Sequence, residues 1–330
     1  MTTVSPQRPW LVTGAAGFLG SHVVEQLLGR RIPVVALDSL HWGNLGYLSP
    51  FVDHPLFTLV VADIREAKAL RGVFESFRPA NVVHLAALHY IPAAVADPPL
   101  AVGINVLGTQ AVLSASTASG VERFWFASTG DVYAPADEAH HEDDRKEPFN
   151  IYGLSKFQGE QLVALAAQSQ PAMRFVVGRL FNLYGARETN PHILPEILKQ
   201  LRDRPGEPLR LGSLWPRRDL VPVTEAARAI IETTLQAPEG VTTLNIATGE
   251  ARSMQEVIDL IGDLRGQPVP VETDPERVRP VERAHLQADV SRLKALIGWT
   301  PHADLRRGLA DLLTEEGLLD PAATPGSSTR

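Results

Sequence analysis

The stretch PWLVTGAAGFLGSH, residues 9–22, decides the reading of this chain. Its first part, PWLVTG (9–14), is a short aliphatic run that predicts a buried strand, and a helical pattern follows over 18–29. Between the two stand Gly14, Gly17 and Gly20, spaced G-x-x-G-x-x-G. Glycines at such a junction let the chain turn tightly and let backbone N–H groups approach a pyrophosphate at the helix N-terminus. A purely structural turn is the alternative. The strand before and the helix after favour a dinucleotide cradle.

Working outward, the same alternation continues. IPVVALD (32–38), LFTLVVAD (56–63), NVVHLAA (81–87), RFWFAST (123–129) and RFVVGRL (174–180) read as buried strands. Helical patterns lie at about 65–77, 97–119 and 149–168. Continuous apolar strands separated by helices predict an α/β fold, a doubly wound parallel sheet covered on both faces, with ligands at the carboxyl ends of its strands. After about residue 185 prolines and charges thicken and the elements shorten: LRLG, VPV, a helix near 224–237, TTLNIAT (242–248), then helices near 253–265, 290–297 and 303–316. This predicts a smaller mixed C-terminal domain, part of which returns to complete the large sheet. The expected division is residues 1–184 with about 219–250 for the nucleotide-binding domain, about 185–218 and 251–316 for the substrate domain, and 317–330 as a flexible tail.

Composition removes several classes of function. Apolar residues make up 44% and charged residues 21% of the 330, as in a soluble globular protein. The net charge is −7 with Lys and Arg scattered, so no basic face for nucleic acid is expected. There is no cysteine, which excludes disulfides, thiolate zinc sites, iron–sulfur clusters and cysteine nucleophiles. No run of about 18 apolar residues and no signal-like N-terminus is evident, which predicts a cytoplasmic chain without a membrane partner. The run His140-His141-Glu142-Asp143-Asp144 reads as a solvated charged loop rather than a metal site.

Three further features carry chemistry. Asp38 ends the second strand, 18 residues after Gly20, where a carboxylate can accept from both adenosine ribose hydroxyls and repel a 2′-phosphate; NAD is favoured over NADP. A helix-capping or loop aspartate is the bland alternative. Asp63 ends the third strand and could bind the adenine amino group, or be one of many strand-end aspartates. Tyr152-Gly-Leu-Ser-Lys156 opens a helix, and positions four apart share a face. An ammonium beside the phenol would lower the tyrosine pKa and let Tyr152 take and return a hydroxyl proton. Thr129, at a strand end, would hold the reacting oxygen.

The ordered set TGAAGFLG, Asp38, Asp63-Ile64, HLAA (84–87), Asn105 in INVLGT, FASTGDVYA, YGLSK, RLFNLYGAR, RRDLVPV and ADVSRLKALIGWTP resembles the extended short-chain dehydrogenase/reductase family. Within it the chain resembles the nucleotide-sugar epimerases and dehydratases related to UDP-glucose 4-epimerase, over about residues 9–316. The resemblance implies a Rossmann fold and a tightly held NAD that oxidises a sugar hydroxyl and is then reduced back. By position it implies that Gly14, Gly17, Phe18, Leu19, Gly20, Asp38, Asp63 and Ile64 bind the adenosine diphosphate half. Ala86 and Asn105 would line the cleft, and Tyr152 and Lys156 would meet the nicotinamide end. Thr129, Tyr152 and Lys156 would form the catalytic trio. Asn182 and Arg218 fall where relatives hold the substrate diphosphate, Arg279 is a further candidate, and Arg187, Arg283 and His192 are substitutes. A surface ion pair of Arg217 and Arg218 with Asp219 is the alternative for those arginines. His89 is a plausible sugar contact, or packing.

One departure matters. Many 4,6-dehydratases of the family carry Asp-Glu after the catalytic Thr, whereas this chain has Gly130-Asp131. The acid position is empty and the base position holds a shorter carboxylate. The expectation is therefore an NAD-dependent 4-epimerase of a nucleotide-diphosphate sugar working through a 4-keto intermediate. A dehydratase or decarboxylase using Asp131, or a non-catalytic NAD-binding sensor, are the alternatives. Leu100, Ile104, Leu107 and Ala111, with Leu154, Phe157 and Leu165, stand at helical spacing, and the resemblance implies a homodimer through a four-helix interface.

Overall fold

The computed structural model describes residues 7–188, 190–278, 283–301 and 304–320. Short runs of Val, Leu and Phe become strands here because both their faces are covered. In chain order the first half runs β1 (Trp10–Thr13), α1 (Phe18–Gly29), β2 (Val34–Asp38), β3 (Phe57–Val61), α2 (Ala67–Phe77) and β4 (Asn81–His84). Every residue of β1, β2 and β4 is buried. Then come α3 (Ile91–Ala96), α4 (Pro98–Val102), a π-helical turn at Gly103–Gly108, α5 (Thr109–Ala118), β5 (Arg123–Thr129), α6 (Ile151–Ser169) and β6 (Arg174–Leu180).

These strands, joined by a later one, β10 (Gly240–Ile246), form a seven-stranded parallel sheet of order β10-β6-β5-β4-β1-β2-β3. Alternation along β1 divides the core. Trp10 and Val12 pack on one face with Val23, Leu27, Ile230 and Ile231, while Leu11 packs on the other with Val35, Phe124, Phe126 and Val163. The chain builds from β1 out to β3 and then returns to lay β4 on the other side of β1. That reversal makes a crevice at the carboxyl ends of β1 and β4, where doubly wound sheets bind their ligands. The expected sheet, including the returning strand, is present.

The second half runs β7 (Asn182–Tyr184), α7 (Ile193–Asp203), β8 (Leu209–Leu211), β9 (Arg217–Pro222), α8 (Val223–Gln236), β10, β11 (Ala251–Ser253), α9 (Met254–Arg265), β12 (Val271–Thr273), β13 (His285–Leu286), α10 (Ser291–Ile297) and α11 (Leu305–Glu315). A third core gathers Ile197, Leu201, Leu211, Val257, Ile261, Leu309 and Leu313 from α7, β8, α9 and α11. Residues from β13 to Trp299, expected with this smaller unit, instead pack on the large core. Leu286, Val290, Leu293 and Trp299 join α8 and β10 there, and the Trp299 indole donates to the Ala247 carbonyl at 3.0 Å. The expected tail also begins later than position 317, because Leu318 and Leu319 pack against the third core; positions 321–330 lie outside the described residues.

Pro98–Ala118 is a 21-residue helical run long and apolar enough to cross a membrane, which the sequence reading did not find. Half of it is buried, it packs on α2 and α6, and it carries the fully buried polar Asn105. Those are the properties of a core helix.

Candidate active site

The crevice is floored by the glycine loop. Gly14 has φ +70°, and a Cβ there would stand 2.8 Å from the Ala86 nitrogen. A Cβ at Gly20 would stand 2.0 Å from the Gly14 carbonyl oxygen, so only glycine allows α1 to start this close to β1. No side chain caps α1, so its first N–H groups, from Phe18 onward, are directed to whatever fills the crevice. This cradle fits the pyrophosphate of a dinucleotide.

Asp38 is 7% exposed, and its two oxygens accept from Ala16 N–H at 2.9 Å and Leu40 N–H at 2.8 Å. The loop-tying role is therefore real, and each oxygen retains a second lone pair for a ribose hydroxyl. Asp63 is clasped by the Arg65 guanidinium at 2.6–3.1 Å, which holds its carboxyl below the usual range. Ile64 packs beneath, against the π turn at Gly108.

Below Ala86 runs a buried polar chain. Thr13 Oγ1 meets His84 Nδ1 at 2.7 Å, and His84 Nε2 meets Thr109 Oγ1 at 2.9 Å. Burial pushes the His84 imidazole down to about 3, so it stays neutral. Asn105 accepts from Leu88 N–H at 2.7 Å and donates to the Leu88 carbonyl and to Ser155. It therefore locks the loop after β4 to α6. Its side chain supports the cleft wall from behind.

Thr129 ends β5, and α6 opens beside it under an Asn150 cap whose Oδ1 accepts from Gly153 N–H at 2.7 Å. The Tyr152 phenol lies near the Thr129 side chain, which favours its ionised form. Burial first, and the nearby Asp131 second, push the phenol above its ordinary value, with Thr129 partly opposing them. Lys156 is 2% exposed, and burial pulls it down to about 7, against the pull of Glu160. Its ammonium stands 4.7 Å over the Phe126 ring. The expected lowering of the tyrosine pKa by Lys156 is thus not seen. The lysine lies over the Phe126 ring and within the electrostatic reach of Glu160, His84 and His89.

Glu160 continues the series of fourth residues on α6, a signal the sequence offered and the reading passed over. Its carboxylate accepts from Ser128 Oγ at 2.5 Å and from Arg179 at 2.9 and 2.7 Å, all buried. Arg179 also donates to the Tyr133 hydroxyl at 2.9 Å and the Glu142 carbonyl at 2.7 Å. The loop at 140–144 is consequently not wholly solvated. His140 stacks on Tyr133 with ring centres 4.6 Å apart, and Glu142 Oε1 accepts from Asn245 N–H at 2.8 Å. Both are almost completely buried; Arg179 and Asn245 donate to their main-chain carbonyls and Asn245 to one Glu142 carboxylate oxygen, while His140 Nε2 and Glu142 Oε2 have no hydrogen-bond partner among the described residues. No group of three metal-ligating side chains occurs among the described residues.

At the mouth, a Cβ on Gly130 would meet the Phe181 ring at 3.3 Å, so Phe181 packs where a side chain at 130 would begin. Asp131 lies 3.7 Å from Arg283, which donates to the carbonyls of Gly130 and Tyr133. Arg283 therefore belongs to the Thr129 end of the cleft. His89 Nε2 lies 2.7 Å from Asn190 Nδ2, joining the loops after β4 and β7 across the opening.

Asn182 opens β7 and pairs in register with Leu220 of β9, the strand that begins at Arg217 and Arg218. Arg218 donates to the Arg217 carbonyl at 2.9 Å, and Arg217 pairs with Glu256 at 2.8 Å. Neither forms the ion pair with Asp219 weighed above. Asp219 is fully buried and accepts from Thr248 and Gly249 N–H at 2.8 Å each. Arg187 is paired with Glu25, and His192 with Glu188. Arg279 lies outside the described residues. A cavity of about 450 Å³, lined by Gly212, Leu214, Trp215, Ser253 and Val278, adjoins β9 and was not foreseen.

A glycine cradle at a sheet reversal, with a Thr at a strand end beside a half-buried Tyr and a buried Lys on the adjoining helix, defines a dinucleotide-dependent enzyme of the doubly wound class. The chain belongs to the NAD dependent epimerase/dehydratase family, which it matches over residues 10–247. It is 32% identical to the UDP-glucose 4-epimerase of Mycolicibacterium smegmatis, over 91% of this chain and 96% of that one. It is also 32% identical to the dTDP-glucose 4,6-dehydratase of Streptomyces griseus, over 91% of each. The Thermus thermophilus UDP-glucose 4-epimerase solved with NAD superposes with a TM-score of 0.81 at 30% identity, covering 94% of this chain and 99% of that one.

Proposed function

We propose that this protein inverts C4 of a nucleotide-diphosphate sugar through a 4-keto intermediate. Gly14, Gly17, Phe18, Leu19 and Gly20 would receive the cofactor pyrophosphate. Asp38, Asp63 and Ile64 would hold the adenosine end, with Ala86 and Lys156 along the cleft and Asn105 bracing its wall from behind. Bound NAD supplies the hydride acceptor and donor. Thr129 holds the C4 oxygen, and Tyr152 removes its proton and later returns it. After the 4-keto sugar turns over in the cleft, the same tyrosine serves the reverse half-reaction, so no second acid–base pair is needed. His89 would contact the sugar, while Asn182, Arg218 and Arg279 would hold the diphosphate. The cavity beside β9 leaves room for the nucleoside.

The observation that carries epimerisation over dehydration is the Gly130–Phe181 contact. Elimination needs an acid near the leaving hydroxyl; Gly130 supplies none, and a side chain there would have to push the Phe181 ring aside by a few tenths of an ångström. We further propose a cytoplasmic homodimer, supported by Leu107, Leu154 and Leu165, which are 64%, 41% and 61% exposed on α6 and the preceding helical run. The proposed large domain comprises residues up to about 184, about 219–250 and the segment from β13 to Trp299, and the proposed smaller domain the remainder of the described residues. The test is Tyr152→Phe, assayed alongside mass spectrometry of the nucleotide released on denaturation. NAD should be released, and the variant should fold yet lose about 10²–10⁴-fold in turnover. Released NADP, or near-normal turnover in Tyr152→Phe, would overturn the assignment.

A further inference from the structure

Gly159 lies in the interior of α6, where glycine is unfavourable. A Cβ there would stand 2.4 Å from Cζ of Phe126 and 3.1 Å from both of its Cε atoms, so the missing side chain is what admits the ring beneath the helix. Phe126 is completely buried and pairs in register with His84 of β4. The two rings stand 6.0 Å apart at 31°, which bounds Phe126 on a second side. Three residues before Gly159 on the same helix, Lys156 is buried and its ammonium lies 4.7 Å from the centre of the Phe126 ring. At that distance an aromatic face attracts a desolvated cation. Among the described residues no hydrogen bond or ion pair engages this Nζ.

Resting on the place given to Lys156 along the cleft, we infer that Phe126 is a positioning residue for the reaction: its buried ring face seats the Lys156 ammonium, and Gly159 and His84 fix the ring. The ring stabilises the charge while consuming none of the three ammonium donors, which stay free for hydroxyl groups arriving in the cleft. A carboxylate in the same place would bind those donors and hold them back. The titratable groups around the ammonium are Glu160 and Tyr152 on α6, His84 on β4 and His89 on the loop after it. Glu160 is engaged by Ser128 and Arg179. His84 is held neutral by burial, and His89 is likewise pushed below its ordinary value. Burial draws the lysine down to about 7 against the pull of Glu160. The ring acts on the side of the charge, so weakening its face must lower the lysine further.

The test follows the charge of Lys156 by NMR titration of isotope-labelled lysine in the protein as purified, with its nucleotide. The chain has five lysines, and Lys156→Met assigns the signal. Phe126 is replaced by phenylalanine fluorinated at one or at both meta carbons. Fluorine withdraws electron density from the ring face and barely changes its shape, so a packing role alone would not move the midpoint. The wild-type midpoint should lie well below that of an exposed lysine. Fluorination should lower it stepwise, by up to about half a pH unit with both carbons substituted. The pH profile of UDP-glucose turnover should move by the same amount, with KM unchanged. A midpoint within about 0.1 pH unit of wild type in both fluorinated proteins, or one that rises, overturns the proposal, and so does a wild-type midpoint near about 10.4, which would place the ammonium in solvent. A stepwise fall that leaves the pH profile of an active wild type unmoved overturns the positioning role. A stepwise fall in a protein that does not turn over UDP-glucose supports the seat while removing the epimerase reading.

Discussion

Lys156→Met removes the most deeply buried ammonium of the site while nearly keeping its volume and unbranched shape. In the native protein the lysine falls from 10.5 to about 7, chiefly through burial. The sign follows from the two states. Below about pH 7 both native and unfolded chains carry the proton, and the native state bears the full cost of burying the charge. That cost has a ceiling of ~5 kcal/mol, and replacing buried charges by apolar side chains typically recovers about 1–4 kcal/mol. Between about 7 and 10.5 the native lysine has shed its proton and the unfolded one has not. Wild-type stability then rises with pH by up to ~1.4 kcal/mol per pH unit, whereas the Met variant lacks this contribution. The variant should be more stable than wild type at pH 6, and its advantage should shrink by roughly 2–3 kcal/mol at pH 9. Urea unfolding of both proteins, freed of nucleotide, at the two pH values measures the gap. A gap constant within about 0.5 kcal/mol, or one that widens with pH, would refute the buried, charge-starved lysine.

Two further outcomes follow from the cradle and the helices. Gly20→Ala would place its methyl 2.0 Å from the Gly14 carbonyl, so the purified variant should release little or no NAD on denaturation; full retention would contradict the pyrophosphate assignment. Sedimentation at micromolar concentration should give a two-chain mass that Leu107→Glu lowers to one chain, while a single-chain mass for wild type would contradict the dimer.

Much of the large domain was legible because strands buried on both faces leave continuous apolar runs. RFWFAST and RFVVGRL coincide with β5 and β6, and the helix at 18–29 coincides with α1. The glycine spacing between β1 and α1 is local and legible by itself, whereas the nearness of Thr129 to Tyr152, which lie in different elements, was implied by the family resemblance. What spacing could not reveal was contact between distant segments. Arg283 reaches the Gly130 carbonyl across 153 residues, and no periodicity announces that meeting. His140 and Glu142 looked solvated because their run is charged, yet Tyr133 and Asn245 supply them a stacking face and a donor in the interior. Spacing puts Lys156 on one face of α6 with Tyr152, but the helix alone does not say that its ammonium lies over the Phe126 ring and near Glu160.

The central claim concerns where protons go. Inversion at C4 exchanges only an oxygen-bound proton with Tyr152, whereas 4,6-elimination strips a proton from C5 and returns one from solvent. The direct measurement is the reaction with UDP-glucose in deuterium oxide, with the product weighed and its C4 configuration assigned by NMR. The epimerase reading predicts the C4 isomer with no deuterium on carbon. Loss of water with one deuterium gained at C5 would contradict it.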